Sequence, residues 1–328
     1  MDATSRELFW KTLCSLDGLD KQKDAQSLKQ VIQYPKYLYR FRPVTFSSLD
    51  CLQSNKLFFS SADHYDDPFD SFLHIDTQQI EQIIETLFKD KASLESVLAT
   101  FAASFGATDE EIKNALGRLK IDTITNGTIE KFREIQHLVQ QEMQSICFSE
   151  DVLNEQLWLK YAGNHTGFVL EYDMEDKSAF LCGKQETCKN CLANALYYPV
   201  YPVYYATEKY NATDFARNTA LIKITENYPV IQKTLLQMLP SVWERERIAL
   251  IKNKCHEYDE EWRIIYPGPA NGRPYICWRP SSVTLGLKTT LSEKNLIITL
   301  SKIAGIPIIY KCVVKDDRLH REKIFPIN

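Results

Sequence analysis

The chain opens on two stretches, residues 4–16 and about 25–33, whose apolar positions (Leu8, Phe9, Leu13 and Leu16 in the first) recur on one helical face. Pro35 closes this opening. Tyr37-Leu-Tyr-Arg-Phe-Arg42 then alternates in side-chain character and is rich in aromatics, which predicts a strand stopped by Pro43. A short helix is expected over 46–54, capped by Ser47 or Ser48, and a second short strand over 56–61. A loop dense in polar groups follows, Asp63-His-Tyr-Asp-Asp-Pro-Phe-Asp70. From about 77 to 143 the period is helical throughout, with at least three helices, and Thr108-Asp-Glu-Glu111 has the spacing of a capping box.

Strand pattern returns at Ser145–Ser149, a helix carries Trp158 and Tyr161, and Phe168–Tyr172 reads as another strand. Residues 176–197 are irregular. Tyr198–Tyr205 is extended, with two prolines that suit an edge or a bend rather than a central strand. Helices are expected over about 212–252. Strands follow at 261–266, 275–279, 283–286 and 308–315, a helix at 292–304 and a last strand near 321–325. The pattern predicts an α+β fold of mixed, mostly antiparallel, short-stranded sheets. It divides into an N-terminal helical segment (1–36), a core (37–76 and 144–328) and a helical insertion (77–143).

Composition narrows the classes. With 328 residues the chain is long enough to bury a sizeable core without disulfides or metal. The 39 basic and 43 acidic residues give a net charge of −4, which is no footprint for tight, non-specific nucleic-acid binding. The first residues lack a basic then apolar signal pattern, no apolar run is long enough to span a bilayer, and the nine cysteines are an odd number. A reducing cytoplasm without membrane attachment is the expected setting. P-loop, dinucleotide-fingerprint, zincin and nucleophile-elbow motifs are all absent.

Four groupings carry candidate chemistry. Arg40 and Arg42 share one face of their strand, where two guanidiniums clamp a phosphate or pyrophosphate, unless carboxylates pair them. The loop residues Asp63, His64, Asp66, Asp67 and Asp70 supply ligands for a divalent cation or a general acid and base; the alternative is an Asp-Pro turn. Asp259 and Glu261 stand two apart where a strand begins, so they are expected to point the same way, beside Trp262 and Arg263. Cys182, Cys188 and Cys191 include half of a zinc-knuckle spacing, with Cys255 or His256 as a fourth ligand; the other reading is three free thiols.

These motifs, in this order, resemble a large bacterial family known only as a domain of unknown function. They are Leu38-Tyr-Arg-Phe-Arg42, Leu57-Phe-Phe-Ser-Ser61, Asp66-Asp-Pro-Phe-Asp70, Cys147-Phe-Ser149, Trp158 to Phe168, Pro202-Val-Tyr-Tyr205 and Asp259-Glu-Glu-Trp-Arg263. The resemblance spans about 38–315. Asp66 replaces the family's Asn and Asp259 the first Glu, and the cysteine-bearing loop at 181–197 looks like an addition. The order of basic residue, serine and Glu-x-Glu is also similar to ADP-ribosyltransferase folds. That resemblance implies an NAD-consuming enzyme, of the kind that acts as a toxin or anti-phage effector, with an ADP-ribosyltransferase-like core. It implies Glu261, Asp259 and Arg40 as catalytic residues. Arg42, Ser60, Ser61, Tyr65, Asp67, Phe69, Asp70 and His165 would then contact the nucleotide, with Tyr65 or Phe69 stacked on nicotinamide, and the acceptor stays open. The competing expectations are a metal-dependent phosphodiesterase or nuclease built on the acidic loop, and a non-catalytic module that senses a nucleotide.

Overall fold

A computed structural model describes residues 1–89, 121–176, 199–224, 242–266 and 273–326, together with positions 96, 108, 110, 111 and 114. Helix α1 (Ala3–Ser15) starts where the Asp2 carboxylate accepts the Ser5 N–H at 2.7 Å, and it buries Phe9 and Leu13. Helix α2 (Lys21–Val31) and strand β1 (Tyr37–Arg42) follow. Helix α3 (Phe46–Ser54) is capped by Thr45, not by Ser47 or Ser48. Thr45 still has extended backbone, and its hydroxyl accepts the Ser48 N–H at 3.2 Å. The strand expected at 56–61 is two, β2 (Lys56–Phe58) and β3 (Ser60–Ser61), which part at the buried Phe59.

Next come α4 (Thr77–Lys89), α5 (Ile121–Glu142), β4 (Gln144–Ser149), α6 (Glu155–Lys160) and β5 (Phe168–Asp173). Between α4 and α5 the Thr108 N–H and hydroxyl both donate to the Glu111 carboxylate, at 2.9 and 2.8 Å, as the capping-box spacing predicts. Strands β6 (Val200–Pro202) and β7 (Tyr204–Ala206) lead to α7 (Thr213–Ile224) and α8 (Glu244–Ala249). The region expected to stay helical to 252 instead ends in β8 (Ile251–Asn253), which pairs in parallel with β7. The rest is β9 (Glu261–Ile265), β10 (Tyr275–Cys277), β11 (Ser282–Leu285), α9 (Leu291–Ile303), β12 (Ile308–Lys315) and β13 (Arg318–Pro326).

The chain divides into two compact units, one of residues 1–71, 141–209 and 245–328, the other of 72–140 and 210–244. In the first, the main sheet runs β13-β12-β11-β5-β1-β4-β9-β6, with β3 against the start of β4. Its neighbours are antiparallel except β11 and β12, which α9 joins as a parallel crossover. Proline-bearing β6 takes an edge. The class is α+β with mostly antiparallel pairing. β1 and β5 pair along their whole length, Tyr37 with Asp173 through Arg42 with Phe168. β1 and β4 pair only at Tyr39 and Ser149. Trp158 packs edge-on against Phe41, with ring centroids 5.5 Å apart, in a core that also holds Tyr39, Leu157 and Val169.

The second unit is held by contacts of the 72–76 segment. Ala212 N–H donates to the His74 carbonyl at 2.9 Å, and the Gln136 side chain donates to the Leu73 carbonyl at 2.7 Å. Among the described residues no helix is long and apolar enough to cross a membrane.

Candidate functional site

The first unit encloses a cavity of about 430 Å³ against β1, β4, β9 and the 62–70 loop. That volume suits a small organic ligand or one half of a larger one. Two kinds of charged wall face it.

One wall is a compensated ion network. Period-two alternation on β9 puts Glu261 and Arg263 on one face. The Arg263 guanidinium grips Asp70 with both terminal nitrogens, at 2.7 and 2.6 Å, and Glu261 through Nε and Nη2, at 2.7 and 3.0 Å. Lys252, on β8, donates to Asp259 at 2.7 Å and Glu261 at 3.1 Å, and lies 3.4 Å from Asp70. All five side chains are buried. Asp259 does not arrive on the strand, as the spacing predicts. It ends a 3-10 turn (Lys254–Asp259), and Glu260, in the left-handed region at φ 44°, swings the chain into β9. The two acids meet on Lys252 because of that turn. Burial would raise the Glu261 carboxyl, but Arg263 and Lys252 outweigh it and hold the group well below the usual carboxylate range. Asp259 goes the other way: burial, joined by the Glu261 charge, raises it against the pull of Lys252. Its Oδ2 takes the Lys252 bond, while Oδ1 is buried with no hydrogen-bond partner.

The other wall is cationic. Tyr39, Ser149 and Glu261 share one face of the sheet through successive pairs, so alternation assigns Arg40 and Arg42 to the opposite face. Both are nonetheless among the residues that line the cavity. Arg40 is 7% exposed, and its Nη1 has no hydrogen-bond partner. Among the described residues no carboxylate pairs with either arginine. Burial and the Arg40 charge bring Arg42 down to about 9, so it still carries its charge at neutral pH.

Of the residues expected at a site, Arg40, Arg42, Ser60, Tyr65, Asp67, Asp70, Asp259 and Glu261 line this cavity. Ser61, Phe69 and His165 are not among its walls. Phe69 is 61% exposed, with Lys209 Nζ 4.1 Å from its ring centre. His165 does not continue the helix that carries Trp158, since α6 ends at Lys160. Instead Gly163, Asn164 and His165 all have positive φ, and His165 stacks on Trp158 at 5.8 Å. The acidic loop is not gathered on one point. Asp63 contacts His64, Asp66 lies 3.8 Å from Lys160, Asp67 is 3.2 Å from His256, and Asp70 is held by Arg263. Among the described residues no three His, Cys, Asp or Glu side chains are placed to hold one metal ion. Cys182, Cys188 and Cys191 lie outside the described residues.

Lys252 also lines the cavity and escapes a reading by motif, while Tyr161 and Cys147, on the walls too, stand inside motifs that assign them no role. A lysine next to the apolar run Ile248-Ala-Leu-Ile251 is the one local sign that Lys252 is buried. Cys147 offers no thiolate: burial, then the Glu261 charge, pushes its thiol up to about 12.

Residues 157–264 match the model of a family described as a protein of unknown function (DUF2971). The match covers about a third of the chain and is narrower than the expected 38–315. It takes in Trp158–Phe168, Lys252 and the Asp259–Arg263 segment, and it leaves out the Arg40–Arg42 strand and the acidic loop. No curated protein and no solved structure matches the chain.

Proposed function

We propose that the cavity binds a nucleotide through its phosphate groups, and that the chain is an ADP-ribosyltransferase-like enzyme using NAD. The observation that carries the reading is the pair of Arg40, which is buried, and Arg42 among the residues lining the cavity, with no carboxylate paired to either among the described residues. A buried cation without a counter-charge is expensive, and a second like charge beside it adds to the cost. A phosphate or pyrophosphate supplies the missing charge in the bidentate geometry that guanidinium prefers. Tyr65 and Tyr161 are also on the walls, with Arg263 over the first ring at 5.5 Å and Lys160 over the second at 4.9 Å, and a base or nicotinamide ring would stack on the other face of either. In the transferase reaction the nicotinamide–ribose C–N bond breaks, and its electron pair leaves with nicotinamide. The acceptor's nucleophile bonds the ribose carbon and gives up its proton. A carboxylate near the ribose stabilises the positive charge that develops there.

One observation favours a second reading, binding without turnover. Both oxygens of Glu261 are occupied by Arg263 and Lys252. Titration calorimetry with NAD and ADP-ribose, alongside chromatographic assay of nicotinamide release, tests both readings. Binding with release, lost in Arg40→Met, supports the enzyme. Binding without release supports the sensor. Absence of binding by any nucleotide overturns the proposal.

A further inference from the structure

A second surface of the first unit carries groups that the cavity does not use. Strands β2 and β10 form a separate two-stranded antiparallel ribbon in which Tyr275 stands opposite Phe58. Leu57 and Ile276, also opposite each other, are buried, so alternation puts Phe58 and Tyr275 together on the other face, with Lys56. Tyr275 is 45% exposed, Arg273 two residues before it is exposed, and Lys56 and Phe58 are half-buried. The two rings tilt against each other with centroids 5.4 Å apart. Lys56 Nζ lies 4.9 Å from the Tyr275 ring centre, and the Arg273 guanidinium 4.5 Å from that of Phe58. Among the described residues no carboxylate pairs with either cation, and none of the four side chains lines the cavity.

We propose that this ribbon face binds single-stranded nucleic acid, with bases against Tyr275 and Phe58 and phosphates on Lys56 and Arg273. A cation over an exposed ring is held weakly, and both long side chains swing readily to an anion that offers a charge-assisted bond. The face presents rings and cations side by side, and a single strand brings a phosphate with every base. An acidic peptide satisfies the cations and leaves the rings in water. A duplex keeps its bases stacked on one another, so its ring faces are not offered. With a net charge of −4 the rest of the chain adds no general attraction for phosphate, which makes the site local and sensitive to salt. The inference stands apart from the nucleotide reading of the cavity.

The test is fluorescence anisotropy of a labelled oligothymidylate of about ten nucleotides on the full chain, across a series of salt concentrations. Unlabelled duplex DNA and polyglutamate serve as competitors. The variants are Tyr275→Leu, Lys56→Gln, Arg273→Gln and, as a cavity control, Arg40→Met. The expected result is that the strand binds wild type and Tyr275→Leu weakens it roughly tenfold, by loss of a stacked base. Lys56→Gln and Arg273→Gln should each flatten the slope of log affinity against log salt by about 0.7. Arg40→Met should bind as wild type does, and both competitors should displace the strand poorly. Three results overturn the inference: no binding of the strand at low salt, wild-type affinity in Tyr275→Leu, or loss of binding in Arg40→Met, which would place the strand in the cavity. Polyglutamate competing as well as the unlabelled strand also overturns it, in favour of an acidic protein partner. Tyr275 and Arg273 are both exposed, and Arg273 lies outside the strand, so the Arg273→Gln salt slope still decides should Tyr275→Leu not fold.

Discussion

Glu261 and Asp259 lie two residues apart, share Lys252 and are shifted in opposite directions, which makes their substitutions informative. Glu261→Gln leaves Arg263 and Lys252 short of a charge inside the protein. It is expected to destabilise the fold by about 3–5 kcal/mol, read by denaturant titration. The lowered Glu261 carboxyl contributes stability above its ordinary value of 4.5 and loses it as pH falls through its native pKa. Glu261→Gln therefore loses less stability than wild type on acidification from neutral pH, checked by urea midpoints at stepped pH. For Asp259 the sign is reversed. Its contribution is complete below its ordinary value of 3.8 and disappears as pH rises through the raised native pKa. Arg42 is a like charge beside Arg40, and among the described residues no carboxylate pairs with it. Arg42→Met should raise the melting temperature of the unliganded protein, by roughly 2–4 °C in scanning calorimetry, while abolishing pyrophosphate binding. A fall in melting temperature would show that Arg42 already has a partner.

Elements decide how these residues meet. β1 is held to β5 along six pairs and to β4 at one, and Arg40 and Arg42 on β1 are among the residues lining the cavity. The close approach behind β1 depends on Gly167. A Cβ there would meet the Arg42 carbonyl oxygen at 2.1 Å and the Ala162 carbonyl oxygen at 2.8 Å, and both are backbone atoms. Gly167→Ala must push β1 away. It is expected to cost about 1–3 kcal/mol and to weaken phosphate binding at the same time, measured by denaturation and calorimetry on one preparation. Most elements were legible in the chain, because strand and helix periods are local. Tyr37–Arg42, the core of β4, β5 and α9 each lie where the alternation or the helical period puts them. The failures are also local in origin. A 3-10 turn and a left-handed Glu260 deliver Asp259, and three consecutive positive-φ residues re-aim His165. Side-chain pattern carries no record of such dihedrals at non-glycine positions.

At the scale of the whole molecule, a ligand that binds only the folded chain stabilises it by mass action, about 2.7 kcal/mol at a hundredfold excess over Kd. ADP-ribose should raise the melting temperature of wild type and leave Arg40→Met unmoved, in a thermal-shift titration. The sequence by itself determined the α+β class, the succession of elements and the candidate set of Arg40, Arg42, Asp70, Asp259 and Glu261, since each rests on a local period or a short motif. Tertiary structure alone decided which of these charges are spent and which are left over. Asp70 and Arg263 are 193 residues apart along the chain, and they meet in a sheet where β3, which leads into the loop that carries Asp70, pairs with β4, and β4 pairs with β9. Charge pairing is a matter of distance in space, and no local pattern encodes it. That is why both oxygens of Glu261, the more conspicuous acid in its motif, are occupied, while Asp259 keeps one buried oxygen without a partner.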